Sequence, residues 1–153
     1  MTLDRTYEVQ GVYEKLIQAW NSRQARDMAN LFAVDGELIG FDGSLIIGKK
    51  AISDHLDPIF KTYPTPPFIY KVKRCQEVGT CYLLRAIVGM VPPGKEELDP
   101  SLNAHQSLLV KKVDNEWKIA LFQNTPAQYH GRPELQDEMT EELKSVKEQE
   151  VRN

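Results

Sequence analysis

Apolar positions recur along the first third of the chain with a helical period. Val9, Val12, Tyr13, Leu16, Ile17 and Trp20 fall at intervals of three and one, which places them on one stripe of an amphipathic helix, with Asp4 as its N-cap. Asn21 and Ser22 interrupt the pattern. Ser22 is expected to cap a second, short helix that buries Ala25, Met28, Ala29, Leu31 and Phe32 and ends at Asp35-Gly36. Residues 37–41 and 44–47 read as short strands around Asp42-Gly43, a dipeptide suited to the positive φ angles of a tight hairpin turn. Residues 48–63 form a third helix through Ile52, Leu56, Ile59, Phe60 and Tyr63, and Pro64, Pro66 and Pro67 forbid its continuation.

From Phe68 the period changes to two. Phe68, Tyr70 and Val72 alternate with lysines, and Tyr82, Leu84, Ala86, Val88 and Met90 alternate on the next run. Matching apolar faces favours a three-residue turn over 77–79, which sets Val72 opposite Leu84, Tyr70 opposite Ala86 and Cys75 opposite Cys81. In that register Arg74 shares a face with Tyr82 and Leu84, while Arg85 lies on the other. Residues 91–102, with three prolines, make an exposed loop. A last hairpin turns at Asp114-Asn115. It pairs Val110 with Ile119, Leu108 with Leu121 and Gln106 with Gln123 on one face. The other face pairs Leu109 with Ala120, Ser107 with Phe122 and His105 with Asn124. Gly131-Arg132-Pro133 opens a final helix with a narrow apolar stripe and seven acidic against three basic residues over 134–153. That helix is either a solvated element lying on the domain or one that reaches a partner subunit.

The order of elements predicts an α+β fold with helices on the concave face of a curved, cone-like antiparallel sheet, plus a C-terminal helix. Residues 1–130 would form the domain and 131–153 a charged extension. With 153 residues, 41% apolar content and a net charge of -3, the chain fits one globular domain. The charge gives no reason to expect nucleic acid. No apolar run suggests a membrane span or a signal peptide, so a cytoplasmic location is expected. The two cysteines read as free thiols.

Several stretches carry a resemblance: Trp20-Asn21, LFAVDGELIGFDG at 31–43, IIGKKAI at 46–52 and EWKIALFQNTP at 116–126. Through them the chain resembles the nuclear-transport-factor-like, or SnoaL-like, superfamily of cone-shaped domains, and the last is similar to its SgcJ/EcaC group. The resemblance covers about residues 5–128 and implies a pocket between helices and sheet, and a homodimer through the sheet's outer face. Superfamily members include ketosteroid isomerase, polyketide cyclases, assembly hubs and pure binding domains. By ungapped spacing, the isomerase's base falls on Gly40 and its oxyanion tyrosine on Leu16, so two of the three roles of that mechanism lack their residue and steroid isomerisation by it is not expected. Asp42 shares the strand parity of Gly40 and is a substitute, set against its ordinary use in an Asp-Gly turn.

The chemistry expected from the residues is cofactor-free. His105 beside Asn124 at the cone mouth is the candidate base, acting on an apolar organic acid or ketone; the alternative is a structural histidine. Gln123, Gln106, Tyr13, Trp20, Tyr82 and Phe122 are candidate ligand contacts, and Arg74 a candidate carboxylate anchor. His55 and His130 do not share a metal-ligand spacing with His105, so no metal is expected. The second reading is a non-catalytic interaction module acting through the sheet face and the last helix.

Overall fold

The computed structural model describes residues 5–152. In chain order its elements are α1 (Thr6–Asn21), α2 (Ala25–Ala29), β1 (Phe32–Ile39), β2 (Leu45–Ile47), α3 (Lys49–Thr62), β3 (Phe68–Val78), β4 (Cys81–Met90), a 3-10 turn (Pro100–Leu102), β5 (Ala104–Val113), β6 (Glu116–Pro126) and α4 (Pro133–Arg152). The six strands form one sheet ordered β2-β1-β6-β5-β4-β3. Four of its pairings are antiparallel, and β1 runs parallel to β6. This is the α+β cone expected from the periodicities.

The inner face of the sheet packs against α1, α2 and α3. Leu84, Ala86, Leu108, Val110, Ile119 and Phe122 meet Val9, Leu16, Ile17, Met28, Ile52 and Leu56 in one buried cluster. Each fully buried Leu or Ile contributes about 1.5–3 kcal/mol relative to its exposed state. A second, smaller cluster lies on the outer face, where Met139 and Leu143 of α4 cover Ile69, Ile87 and Ala127. Gly89 permits that contact, because a Cβ there would meet Leu143 Cδ1 at 2.9 Å and Asn103 Oδ1 at 3.0 Å. The Asn103 amide donates to Thr140 Oγ1 on α4 at 2.9 Å. The last helix therefore lies on the domain.

Local expectations are corrected in several places. The proposed cap Asp4 lies outside the described residues. The second helix is a single turn starting after Gln24 rather than at Ser22. Phe32, expected on that helix, begins β1 instead. Gly36, read as a helix end, is a close approach of strands: a Cβ there would sit 2.6 Å from the Ile119 carbonyl oxygen. Asp42-Gly43 is not a two-residue turn, since Ile39 pairs with Leu45 and a five-residue loop lies between them. Asp42 Oδ1 accepts from the Ser44 amide at 2.9 Å within that loop.

Two bulges rewrite the long hairpins. Between β3 and β4 the turn has two residues, Gly79 and Thr80, because Val78 pairs with Cys81. Lys73 is the extra residue, so Arg74 pairs with Arg85 below it while Val72 pairs with Ala86 above. The expected pairs of Val72 with Leu84 and Tyr70 with Ala86 are overturned: Val72 pairs with Ala86 and Tyr70 with Val88, and the bulge, not a three-residue turn, brings the apolar faces together. Cys75 consequently faces Leu84, not Cys81, and both thiols are free. Between β5 and β6 the turn is as expected, with Asp114 and Asn115 at φ of 51° and 68°. A bulge at Ala120 then shifts the register: Val110 pairs with Ile119, but Leu109 pairs with Leu121 and Leu108 with Phe122.

Candidate functional site

The Ala120 bulge decides which polar side chains share the cone interior. Past it, Gln106 pairs with Asn124, Ser107 with Gln123 and His105 with Thr125. The expected pairs Gln106 with Gln123 and His105 with Asn124 are both overturned. A single inserted residue shifts β5 by one against β6, so His105 lies on the outer face with Gln123 while Gln106 comes inside beside Asn124.

Inside the cone Tyr13, Gln106 and Asn124 form a chain. The Tyr13 hydroxyl donates to Gln106 Oε1 at 2.6 Å, and Gln106 Nε2 donates to Asn124 Oδ1 at 2.8 Å. Asn124 Nδ2 reaches the Ile39 carbonyl at 3.3 Å, which ties the chain to β1. Tyr13 is 0% and Gln106 1% exposed, so no water-sized space adjoins either. Tyr70 meets the Tyr13 ring edge-on at 5.5 Å. Burial, with the neighbouring Tyr70, drives the Tyr13 phenol far above its ordinary value of 10.0, so it is a neutral donor. The amides of Gln106 and Asn124 do not titrate.

The other inward candidates are packed. Phe122 and Tyr82 belong to the buried cluster. The Tyr82 hydroxyl accepts from the Arg5 amide at 3.3 Å, and its ring meets Trp117 edge-on. Trp20 is half-buried against Phe60 and Phe68, with its indole N–H donated to the Pro66 carbonyl at 3.2 Å. None of the described grooves is lined by Tyr13, Gln106 or Asn124. The largest, about 670 Å3, opens outside the cone between Arg26, Val34, Ile47 and Lys49.

On the outer face His105 is half-buried, with Nε2 3.3 Å from the Tyr129 hydroxyl. Burial, and secondarily the Arg85 charge, lower its pKa below the ordinary 6.5. Arg74, expected to share a face with Tyr82 and Leu84, instead lies outside, exposed and directly opposite Arg85. Asp42 is exposed in its loop. The amide of Ser44, chiefly, and the charge of nearby His55 hold its carboxyl below the ordinary 3.8. The expected constellation is thus divided among the interior chain, the outer face and the loop at the mouth. Tyr129, the partner of His105, carries no sequence signal, since it follows Pro126 in irregular chain. The pairing of Gln106 with Asn124 follows only once the bulge is known.

Among the described residues no three His, Cys, Asp or Glu side chains converge as a metal site, and no helix is long and apolar enough to cross a membrane.

The fold is shared with many solved structures. A domain of unknown function with a cystatin-like fold from Nostoc punctiforme is 22% identical at a TM-score of 0.78, covering 96% of this chain and 99% of that one. A nuclear-transport-factor-like protein of unknown function from Pseudomonas putida is 15% identical at 0.67, covering 82% and 88%. A candidate calcium/calmodulin-dependent protein kinase type II association domain from Thiobacillus denitrificans is 12% identical at 0.70, covering 78% and 94%. No family model matches the sequence, and no curated protein matches it. The chain has the cone-shaped, nuclear-transport-factor-like fold; these identities define the fold alone.

Proposed function

We propose that this chain is a non-catalytic association module whose working surface is the outer face of its sheet, paired with a second copy of itself. One observation carries the reading: the Tyr13–Gln106–Asn124 chain fills the cone interior and satisfies its own hydrogen bonds. A proton-transfer site needs a base near the operating pH. The groups of that chain are a neutral phenol and two amides, and His105 is turned to the far side of the sheet.

The outer face supports the positive half of the reading. Leu83, Leu109 and Leu121 stand side by side across β4, β5 and β6, half-buried and, among the described residues, without a covering element, because α4 lies over β3 and β4 at the other end of the sheet. A contiguous apolar row on an uncovered sheet face marks an interaction surface. The fold neighbour named as an association domain is consistent with use of this fold for assembly. Sedimentation equilibrium at micromolar concentration tests the reading. The wild-type chain is expected to run as a dimer and Leu109→Asp as a folded monomer. A monomeric wild type would sink it.

A second reading has its own observation. At the loop end of β1, beyond the Ile39 carbonyl that Asn124 binds, the Asp42 carboxyl lies within reach of the His55 charge. A small organic acid or ketone held at that rim, giving a proton to one of the two side chains and taking it back at another atom, would retain the cofactor-free chemistry expected of SnoaL-like and SgcJ/EcaC proteins. If the wild-type chain is monomeric, this reading takes the place of the first.

A further inference from the structure

The outer face carries charge in an arrangement that selects how a second copy sits. One row of side chains crosses the sheet as Arg74, Arg85, Ser107, Gln123 and Ile39. The row beside it reads Gln76, Leu83, Leu109, Leu121, Glu37 and Ile47. Glu37 belongs to the outer face because its neighbour Leu38 is buried in the interior cluster. The positive charge therefore sits on β3 and β4, and the negative charge on β1.

Neither arginine has an ion-pair or side-chain hydrogen-bond partner among the described residues, and neither does the Glu37 carboxylate. Like charges directly opposite on neighbouring strands destabilise a sheet. The arrangement is therefore incomplete in one copy. Other ions nearby are already engaged: Lys71 and Lys73 hold Glu142 of α4, Lys111 holds Asp35, and Lys118 holds Glu116.

We infer that Glu37 of the partner subunit supplies the counter-charge to the Arg74–Arg85 pair, across a two-fold axis that runs along the strands between β5 and β6. This rests on the association reading above. The sheet order is symmetric about that line, with β1 and β4 each one strand away from the central pair. An axis along the strands lays β4 of one copy over β1 of the other, twice, and sets positive over negative. An axis across the strands lays β4 over β4 and β1 over β1, so it never brings Glu37 to the arginines, and where it passes through their row it stacks like charges. The charge pattern selects the first. Arg85 and Glu37 lie one row apart, a step of two residues or about 7 Å along a strand. Face-packed sheets cross at about 30°, and the arginine side chain spans the remaining offset. The apolar centre then consists of Leu109 of each copy against Leu121 of the other, with the two ion-pair clusters on either side. Such a contact is isologous and closes at two subunits.

Charge reversal tests this. Arg85→Glu and Glu37→Arg are each expected to weaken the dimer about tenfold or more in sedimentation equilibrium. The double variant Arg85→Glu with Glu37→Arg restores association to within about threefold of wild type, because it rebuilds the pairs with reversed sign. Circular-dichroism melting checks that each variant is folded. If Arg85→Glu does not fold, Arg85→Gln and Glu37→Gln in a double-mutant cycle read the same coupling. A wild-type dimer abolished by Leu109→Asp but untouched by the reversals, or weakened by both and not rescued together, overturns the ion pairing and leaves the association reading standing. A monomeric wild type, or a dimer that Leu109→Asp leaves intact, overturns both.

Discussion

The two faces of this sheet treat their polar groups in opposite ways. On the inner face Gln106 and Asn124 are neutral, buried or half-buried, and bonded to each other, to Tyr13 and to the β1 backbone. On the outer face β3 and β4 carry Arg74 and Arg85 without a counter-ion among the described residues and β5 a half-buried histidine, while Lys71 and Lys73 are balanced by Glu142 of α4. An unpaired polar group inside would cost its full desolvation, so the interior tolerates only groups that satisfy one another. The outer face meets water, or a partner, and keeps charges that a core would reject. The closed face is the one the fold has finished with. The open one is where further binding energy is available.

The sharpest way to break this contrast is to truncate neighbouring residues on β5 that point opposite ways. Leu108 is fully buried among the helices, and Leu108→Ala is expected to cost about 2–5 kcal/mol in urea unfolding. Leu109→Ala is expected to cost under about 1 kcal/mol in the monomer, measured at a protein concentration where self-association is negligible, because its side chain is only half covered. Equal losses would mean that the outer row is already sealed within one copy. Next in size is Gln106→Leu. It fits by volume but leaves the Tyr13 hydroxyl and one Asn124 oxygen without their partner, at about 1–3 kcal/mol. A neutral result would show that the buried chain is not what closes the interior.

Much of the fold was legible because its signals are local and redundant. The stripe from Val9 to Trp20, the prolines after α3 and the Asp114-Asn115 turn each stand on several residues at once. What could not be read was the count of residues between paired positions. Lys73 and Ala120 are ordinary strand residues, and alternation continues on both sides of each, so an inserted residue leaves no compositional trace. Its consequence is global all the same: it moved His105 from the cone to the outer face and placed Arg74 against Arg85. Gly36 shows the same limit. Asp-Gly reads as punctuation, while the requirement at that position is the Ile119 carbonyl, contributed by a strand more than eighty residues later in the chain. Positions set by pairing across the sheet are fixed by partners that no local window contains.

The smallest expected effect is the most specific to the outer face. His105 is held below its ordinary 6.5 by partial burial first and by the Arg85 charge second. A histidine with a depressed native pKa takes up its proton in the unfolded chain before it does so in the folded one. Above pH 6.5 both states are neutral and the group contributes nothing to the pH profile. As pH falls below 6.5 the unfolded state gains the proton, and stability declines until the native pKa is passed, after which the profile levels again. The side chain is partly solvated, so the slope is modest. His105→Gln keeps a hydrogen-bonding group for the Tyr129 hydroxyl and is expected to flatten this segment of the stability profile between pH 7 and pH 5. Arg85→Gln removes only the charge, so it should soften the slope without abolishing it, leaving the part due to burial. Urea unfolding across that range separates the two variants. An unchanged slope in His105→Gln would place the acid sensitivity elsewhere, and a slope abolished by Arg85→Gln would mean that charge, not burial, sets the histidine's environment.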